Sequence, residues 1–141
     1  MQIDIMTLNW AIHRLNGISS PANASYSSDE LAHQLQDAGC VALFTSALLL
    51  PVAIPAAQKA GIPQERIYIC EIERQDQEIL EPAKGFKTIN QLIASGSTLP
   101  ALEPISWAKG QGARQIAFLC YSSGTSGLPV STPSFSECDV L

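Results

Sequence analysis

The residues of this chain best able to do chemistry lie at positions 116–129 and read I-A-F-L-C-Y-S-S-G-T-S-G-L-P. The first five are apolar and follow a turn-prone K-G-Q-G segment, a pattern that predicts a buried strand. The second half combines hydroxyl donors with two glycines, which let the backbone approach a ligand closely, and successive N–H groups in such a turn can form a concave anion site. The candidate binding residues are Ser122, Ser123, Gly124, Thr125, Ser126 and Gly127.

A flexible Gly/Ser turn is the simpler interpretation of an isolated S-S-G-T-S-G segment. Here the segment directly follows a predicted strand and is closed by Pro129, which favours a binding loop. Two common phosphate motifs are excluded. A Walker loop needs a glycine where Pro129 stands, five residues after Gly124. The dinucleotide fingerprint must follow a strand, whereas the G-Q-G at 110–112 precedes one.

The segment at 121–129 resembles the phosphate-binding signature of the adenylate-forming (AMP-binding) superfamily. The usual form of that signature is Ser/Thr-Ser-Gly-Thr-Thr/Ser-Gly-x-Pro-Lys-Gly. Residues 17–39 are similar to the same superfamily, most closely to acyl-CoA ligases of the 4-coumarate-CoA ligase type. The resemblance extends from position 8 to position 129.

The resemblance implies a reaction and a set of ligands. In the superfamily, a small carboxylic acid attacks the α-phosphate of ATP to give an acyl-adenylate and pyrophosphate, and CoA then displaces AMP. No protein nucleophile is needed, so catalysis rests on stabilising phosphate charge beside a Mg²⁺ ion. Carried over by position, Ser122 to Gly127 would hold the β- and γ-phosphates of ATP. The resemblance assigns no catalytic residue and no protein ligand for a metal in this chain.

The chain departs from the family after Pro129. Val130 and Ser131 stand where the family has lysine and glycine, so the cation beside the phosphates is lost. Residues 130–141 no longer resemble the family and predict a disordered tail, which follows a partial AMP-binding domain over residues 1–129. We therefore expect a truncated relative of acyl-CoA ligases that binds ATP, Mg²⁺ and CoA weakly or not at all and lacks activity alone. The alternative is a non-catalytic protein that binds a partner, such as an intact ligase, or itself through an exposed sheet.

Composition and charge limit the classes of partner. The 141 residues are 46% hydrophobic and 15% charged, a balance typical of one soluble globular domain. A net charge of −5, with eight scattered Lys and Arg, offers no basic face for a nucleic acid. The N-terminus lacks the basic region of a secretory signal. The four cysteines are Cys40, Cys70, Cys120 and Cys138. They show no C-x-x-C spacing, and three of them lie in apolar runs, which predicts reduced thiols in the cytoplasm and no metal site.

Residues 38–58 carry no charge over a length that could span a bilayer. However, Pro51 and Pro55 fall in this segment, and Gly39, Thr45 and Ser46 divide it where a strand followed by a helix would turn. The pattern therefore favours a strand and a helix over a membrane span.

Predicted helices and strands alternate along the chain. Helices are predicted over 6–15, 27–38, 52–60 and 88–94, the third beginning late or kinked because of Pro55. Ser27 with Glu30, and Thr88 with Gln91, have the spacing of capping boxes. Strands of one sheet are predicted over 41–45, 66–72 and 116–120. This β-α-β alternation predicts an α/β fold with a partial doubly wound, mainly parallel sheet and flanking helices, by resemblance a fragment of the large N-terminal domain of an adenylate-forming enzyme.

Overall fold

A computed structural model describes residues 3–70, 83–122 and 130–135. The chain divides into a terminal unit, Met1–Ala22 with Ala101–Leu141, and a middle unit, Asn23–Pro100. The helices are α1 (Ile3–Arg14), α2 (Ser28–Asp37), α3 (Leu50–Lys59) and α4 (Ile89–Gly96). The strands are β1 (Leu43–Thr45), β2 (Ile67–Ile69), β3 (Lys87–Thr88), β4 (Ile116–Ser122) and β5 (Val130–Phe135).

The middle unit is built on a parallel sheet with the strand order β1-β2-β3 in the described residues. Leu43 pairs with Ile67, and Tyr68 with Lys87. Helix α2 precedes β1, and α3 connects β1 to β2, because parallel neighbours need a crossover between them. The predicted α/β class with a mainly parallel sheet is thus confirmed.

The predicted capping box at the start of α2 is confirmed. The backbone N–H of Glu30 donates to Ser27 Oγ (3.4 Å), and the backbone N–H of Ser27 donates to Glu30 Oε2 (2.8 Å). Ser27 Oγ also donates to Glu30 Oε2 (2.7 Å). The hydrogen bonds from the Ser27 backbone and hydroxyl lower the pKa of the Glu30 carboxyl, because they stabilise its charged form. Thr88 and Gln91 form the corresponding box at α4.

Replacing Ser27 with alanine is expected to destabilise the middle unit by about 1 kcal/mol at neutral pH, because the Glu30 N–H loses its acceptor. The Glu30 bonds stabilise the fold fully above the ordinary glutamate pKa of about 4.3, and this stabilisation is lost as pH falls through the lower folded-state pKa. The difference between wild type and Ser27→Ala should therefore narrow in acid. Urea unfolding at neutral pH and in acid measures this difference in the free energy of unfolding. Ser25→Ala, at an exposed serine, is the control. Equal stability of the two variants would contradict the prediction.

Two helices and one face of the sheet enclose the core of the middle unit. Helix α2 contributes Leu31 and Leu35, and the alanines of α3 let the two helices approach closely. Gln36 Nε2 donates to the carbonyl of Lys59 (2.7 Å), which joins the ends of these helices. The buried hydrophobic residues of this cluster are Leu31, Ala32, Leu35, Leu50, Ala56, Ala57, Ile62, Ile67, Ile69 and Ala83.

Helix α3 begins earlier than the sequence predicts. It starts at Leu50, directly after a 3₁₀ turn at Ala47–Leu49. Pro51 lies in the first helical turn, where a missing N–H costs little because that group has no acceptor within the helix. Pro55 lies inside the helix, so of the two predicted alternatives the late start is wrong, and a kink at Pro55 stays a prediction.

The terminal unit contains a second sheet, and the prediction of a single sheet is wrong. Strand β4 pairs antiparallel with β5 rather than with β1 or β2. Its other edge is bonded to Ser19, in the extended run after α1. In the described residues, β5 thus lies along one edge of β4, and Ser19 bonds to the other edge beside Phe118.

Strand β5 lies in the segment for which the sequence predicts a disordered tail. That prediction does not hold for Val130–Phe135, which pairs with β4 from Ser122 to Ile116. Val130, Thr132 and Phe135 are residue types that favour strands, and an adjacent strand edge lets the segment bond. Residues 136–141 lie outside the described residues, and the domain boundary at position 129 stays a prediction.

Side-chain exposure differs among the cysteines that the structure describes. Cys40 and Cys70 are half-buried, and burial raises the pKa of the Cys40 thiol, whereas Cys120 is exposed. Trp107 is 38% exposed. Over the described stretches, no helix has both the length and the apolarity of a membrane span.

Candidate active site

The predicted phosphate loop lies between the paired ends of β4 and β5. Ser122, the last residue of β4, is paired across the sheet with Val130, the first residue of β5. Residues 123–129 connect these two ends and lie outside the described residues. The structure therefore brings Ser122 next to the position where the family has its lysine.

The opposite edge of β4 is bonded to the run that follows α1. The backbone N–H of Ser19 donates to the Ala117 carbonyl (3.0 Å), and the N–H of Leu119 donates to the Ser19 carbonyl (2.9 Å). The Ser20 hydroxyl donates to the Leu119 carbonyl (3.1 Å). Strand β4 is thus held on both edges before it reaches Ser122.

Helix α1 adds a side-chain contact to the same strand. His13 Nε2 lies 3.0 Å from the Ala117 carbonyl oxygen and 3.5 Å from Ser19 Oγ. The imidazole also packs edge-on against the Phe118 ring, with the ring centroids 4.8 Å apart and the planes at 87°. Ala117 and Ser19 are both buried, so these contacts form in a largely dry environment.

The helix is also joined to the segment that leads into β4. The Arg14 guanidinium donates to the Leu102 carbonyl (3.1 Å) and to the Glu103 carbonyl. Helix α1 ends at Arg14, and Asn16 in the turn after it has a positive φ of 61°, which asparagine tolerates better than most residues. Together, His13 and Arg14 fix the end of α1 against the chain on the N-terminal side of the candidate loop.

Of the six predicted site residues, the structure describes Ser122, which is exposed at the end of β4. The other five lie outside the described residues: Ser123, Gly124, Thr125, Ser126 and Gly127. Residues 116–135 contain no Asp, Glu, Lys or Arg, so the donors and acceptors of this segment itself are backbone groups and hydroxyls. In the parts of the chain that are described, no three His, Cys, Asp or Glu side chains are grouped to hold a metal.

Sequence reasoning did not assign a role to His13 or Ser19. His13 is half-buried, and its Nε2 lies against the Ala117 carbonyl of β4. No spacing signal could have identified this contact, because its acceptor is a backbone carbonyl far along the chain. The hydrophobic spacing of α1 predicts a packed face but not the strand that it packs on.

Comparisons with known proteins give the family. The family model described as AMP-binding enzyme matches residues 1–129. The acyl-CoA ligase cm3C of Cordyceps militaris is 41% identical over 128 residues, covering 89% of this chain and 20% of that protein. The acyl-CoA ligase easD of Emericella nidulans is 37% identical over 125 residues, covering 89% of this chain and 22% of that protein.

The fold agrees with that of a solved CoA ligase. The anthranilate CoA ligase AuaEII, in complex with anthranoyl-AMP, superposes with a TM-score of 0.72 at 21% sequence identity, covering 95% of this chain and 23% of that chain. The chain spans about a fifth of the length of the curated relatives it matches. Because the family model covers most of the chain, the chain belongs to the AMP-binding enzyme family.

Proposed function

We propose that this chain carries the ATP phosphate-binding part of an acyl-CoA ligase of the 4-coumarate-CoA ligase type and that it does not activate an acid by itself. The acyl-CoA ligase assignment is supported by relatives of that name at 33–41% identity. The narrower type is supported by the sequence at 17–39. A cytoplasmic location stays a prediction from the cysteine pattern and the N-terminus.

The observation that carries the proposal is the pairing of Ser122 with Val130 at the loop end of the β4–β5 hairpin. A strand held on both edges delivers the hydroxyl and amide donors that follow Ser122 from a fixed starting point. Such donors suit phosphate oxygens, which accept hydrogen bonds and carry charge. The donor set between 122 and 127 therefore fits the β- and γ-phosphates of ATP, with Mg²⁺ held chiefly by the phosphates themselves.

The same pairing explains why we expect weak binding. Position 130 is valine, which has no charge. A cationic side chain at this position would lie opposite Ser122, at the end of the hairpin where the phosphates are proposed to bind. In the family reaction, ATP and a carboxylic acid give an acyl-adenylate that CoA converts to a thioester. In this chain the proposed part is limited to Ser122, Ser123, Gly124, Thr125, Ser126 and Gly127 binding phosphate oxygens.

Titration with pyrophosphate and with ATP and Mg²⁺ tests the proposal. We expect weak binding by the wild type and at least about tenfold weaker binding by Ser123→Ala/Thr125→Ala, since two hydrogen bonds to a charged ligand are removed. Val130→Lys should tighten pyrophosphate binding by about tenfold, because it restores a charge-assisted contact.

The control is Ser95→Ala/Thr98→Ala, an exposed pair of the same residue types in the middle unit. It should bind pyrophosphate like the wild type. If the loop variant and this control bind equally, the phosphate-loop proposal is wrong.

A second candidate function is supported by exposed apolar side chains. Trp10 and Leu15 are 67% and 66% exposed in the terminal unit, and Val41 and Leu99 are 68% and 69% exposed in the middle unit. Exposed large hydrophobic residues mark a binding surface where they form a contiguous patch, and this is what the second function requires of them. The alternative is a non-catalytic protein that binds an intact ligase, or itself, through uncovered surface or sheet edges. Sedimentation of the titrated samples separates the two candidate functions. The alternative requires that the chain associates with a partner or with itself, and the loop variants should leave that association unchanged.

A further inference from the structure

Strand β4 contains an irregularity five residues before Ser122. Ile116 pairs with Phe135 and Phe118 pairs with Ser134, so β4 advances two residues while β5 advances one. Ala117 is therefore the extra residue of a β-bulge. A bulge bends and twists its strand and changes the direction in which the following residues point. The geometry at Ala117 thus determines the direction in which β4 delivers Ser122.

The carbonyl of this bulged residue receives two donors from outside the β4–β5 ladder. The Ser19 N–H and His13 Nε2 both lie 3.0 Å from Ala117 O. A carbonyl oxygen accepts and never donates, so His13 Nε2 must carry the proton in this contact. Ser19 Oγ, 3.5 Å from the same nitrogen, is too distant to compete strongly for that proton.

We propose that His13 is a positioning residue for the phosphate loop, acting through the Ala117 carbonyl. Its Nε2–H fixes the bulge in one arrangement, and β4 then presents Ser122, the first residue of the proposed loop, in one direction. This inference rests on the proposed phosphate binding at Ser122 to Gly127. Without the His13 donor, the Ala117 carbonyl keeps only the hydrogen bond from the Ser19 N–H. The bulge then has more freedom to twist.

Two substitutions separate the hydrogen bond from ring packing. His13→Phe keeps an aromatic ring against Phe118 but removes the donor, whereas His13→Gln removes the ring and keeps a side-chain N–H donor. The control is His33→Phe, which changes a half-buried histidine on α2 in the middle unit. The readouts are pyrophosphate affinity and the backbone amide NMR shifts of residues 119–127, both on the full chain.

We expect His13→Phe to weaken pyrophosphate binding by about three- to tenfold, the range that one neutral hydrogen bond contributes. His13→Gln should restore binding to within about twofold of wild type, and His33→Phe should match wild type. Wild-type affinity in His13→Phe, or equal losses in His13→Phe and His13→Gln, would overturn the inference. If His13 had only a structural role, His13→Gln would not restore pyrophosphate binding in samples with the same folded fraction.

The ligand-free measurements keep this inference separate from the proposed function. If the wild type binds no pyrophosphate, the proposed function fails, and the amide shifts then decide whether His13 positions the strand end. Shifts that His13→Phe alters and His13→Gln restores support the inference. Shifts that His13→Phe leaves unaltered refute it. If His13→Phe does not fold, nitrogen NMR of wild-type His13 decides. The Nε2–H tautomer, with wild-type loop shifts in His13→Gln, supports the inference, and the Nδ1–H tautomer overturns it.

Discussion

The 141-residue chain, assayed by itself, is expected to form no acyl-adenylate from ATP and any aromatic or aliphatic acid. Residues 116–135 contain no carboxylate to hold Mg²⁺ and have Val130 where the family has lysine. Removing one well-placed electrostatic donor commonly costs about 2–4 kcal/mol of transition-state stabilisation. The chain also spans only about a fifth of its relatives' length. If it does not hold the acid against the α-phosphate, the reaction loses the advantage of ordering two reactants, which is worth about 7–11 kcal/mol.

Together these losses correspond to a rate lower by about a millionfold or more, which is below the background of a release assay. The measurement is pyrophosphate release with a panel of carboxylic acids, run beside Ser123→Ala/Thr125→Ala. An anthranilate CoA ligase with anthranilate serves as the positive control. Turnover above background that disappears in the double variant would show that the loop is an active site and that the expectation of inactivity is wrong.

Local signals predicted the helices of the middle unit well. A capping box involves two residues three apart, so Ser27 with Glu30 and Thr88 with Gln91 could be recognised without knowing the rest of the fold. Both boxes form, at α2 and α4. The predicted strands have the right type, but their bounds differ in both directions. The run predicted at 41–45 is reduced to Leu43–Thr45, since an apolar run can continue beyond the last hydrogen-bonded pair. The run predicted at 116–120 extends to Ser122.

The division into two sheets could not be predicted in the same way. Which strand lies beside β4 depends on contacts between distant residues, and the β-α-β pattern suggested one continuous parallel sheet. Ser19 and β5 occupy the two edges of β4 instead. Ser19 lies in a run at 18–22 that is compatible with a short strand or extended chain, but Pro21 limits its pairing, and β5 contains Pro133. Neither segment indicates from its own sequence that β4 is its partner.

The candidate site shows the same limit. The loop sequence identified the family, which the family model supports over residues 1–129. The residues that hold the strand before the loop carry no motif, because His13 and Ser19 act on a backbone carbonyl, which any residue at position 117 would supply. A short motif therefore indicated the proposed ligand, whereas the supporting contacts required the structure.

Replacing Leu50 with alanine is expected to destabilise the middle unit by about 2–5 kcal/mol, the range observed for large-to-small substitutions in packed cores. Leu50 is 0% exposed and begins α3, where it packs in the cluster formed by α2, α3 and the sheet. The substitution removes apolar contacts and leaves a cavity that the neighbouring alanines are too small to fill. Since whole domains are stable by only about 5–15 kcal/mol, this loss should lower the urea midpoint strongly.

The matched control is Leu48→Ala, in the 3₁₀ turn just before α3, where the side chain is 57% exposed. It makes the same chemical change at a surface position, so stability should stay within about 0.5 kcal/mol of wild type. Urea unfolding followed by circular dichroism gives the overall change, and hydrogen exchange at the amides of Leu35 and Ala57 reports on the middle unit itself. Equal midpoints and equal amide protection in the two leucine variants would show that Leu50 does not pack in the core as described, because burial is the feature that distinguishes the two positions.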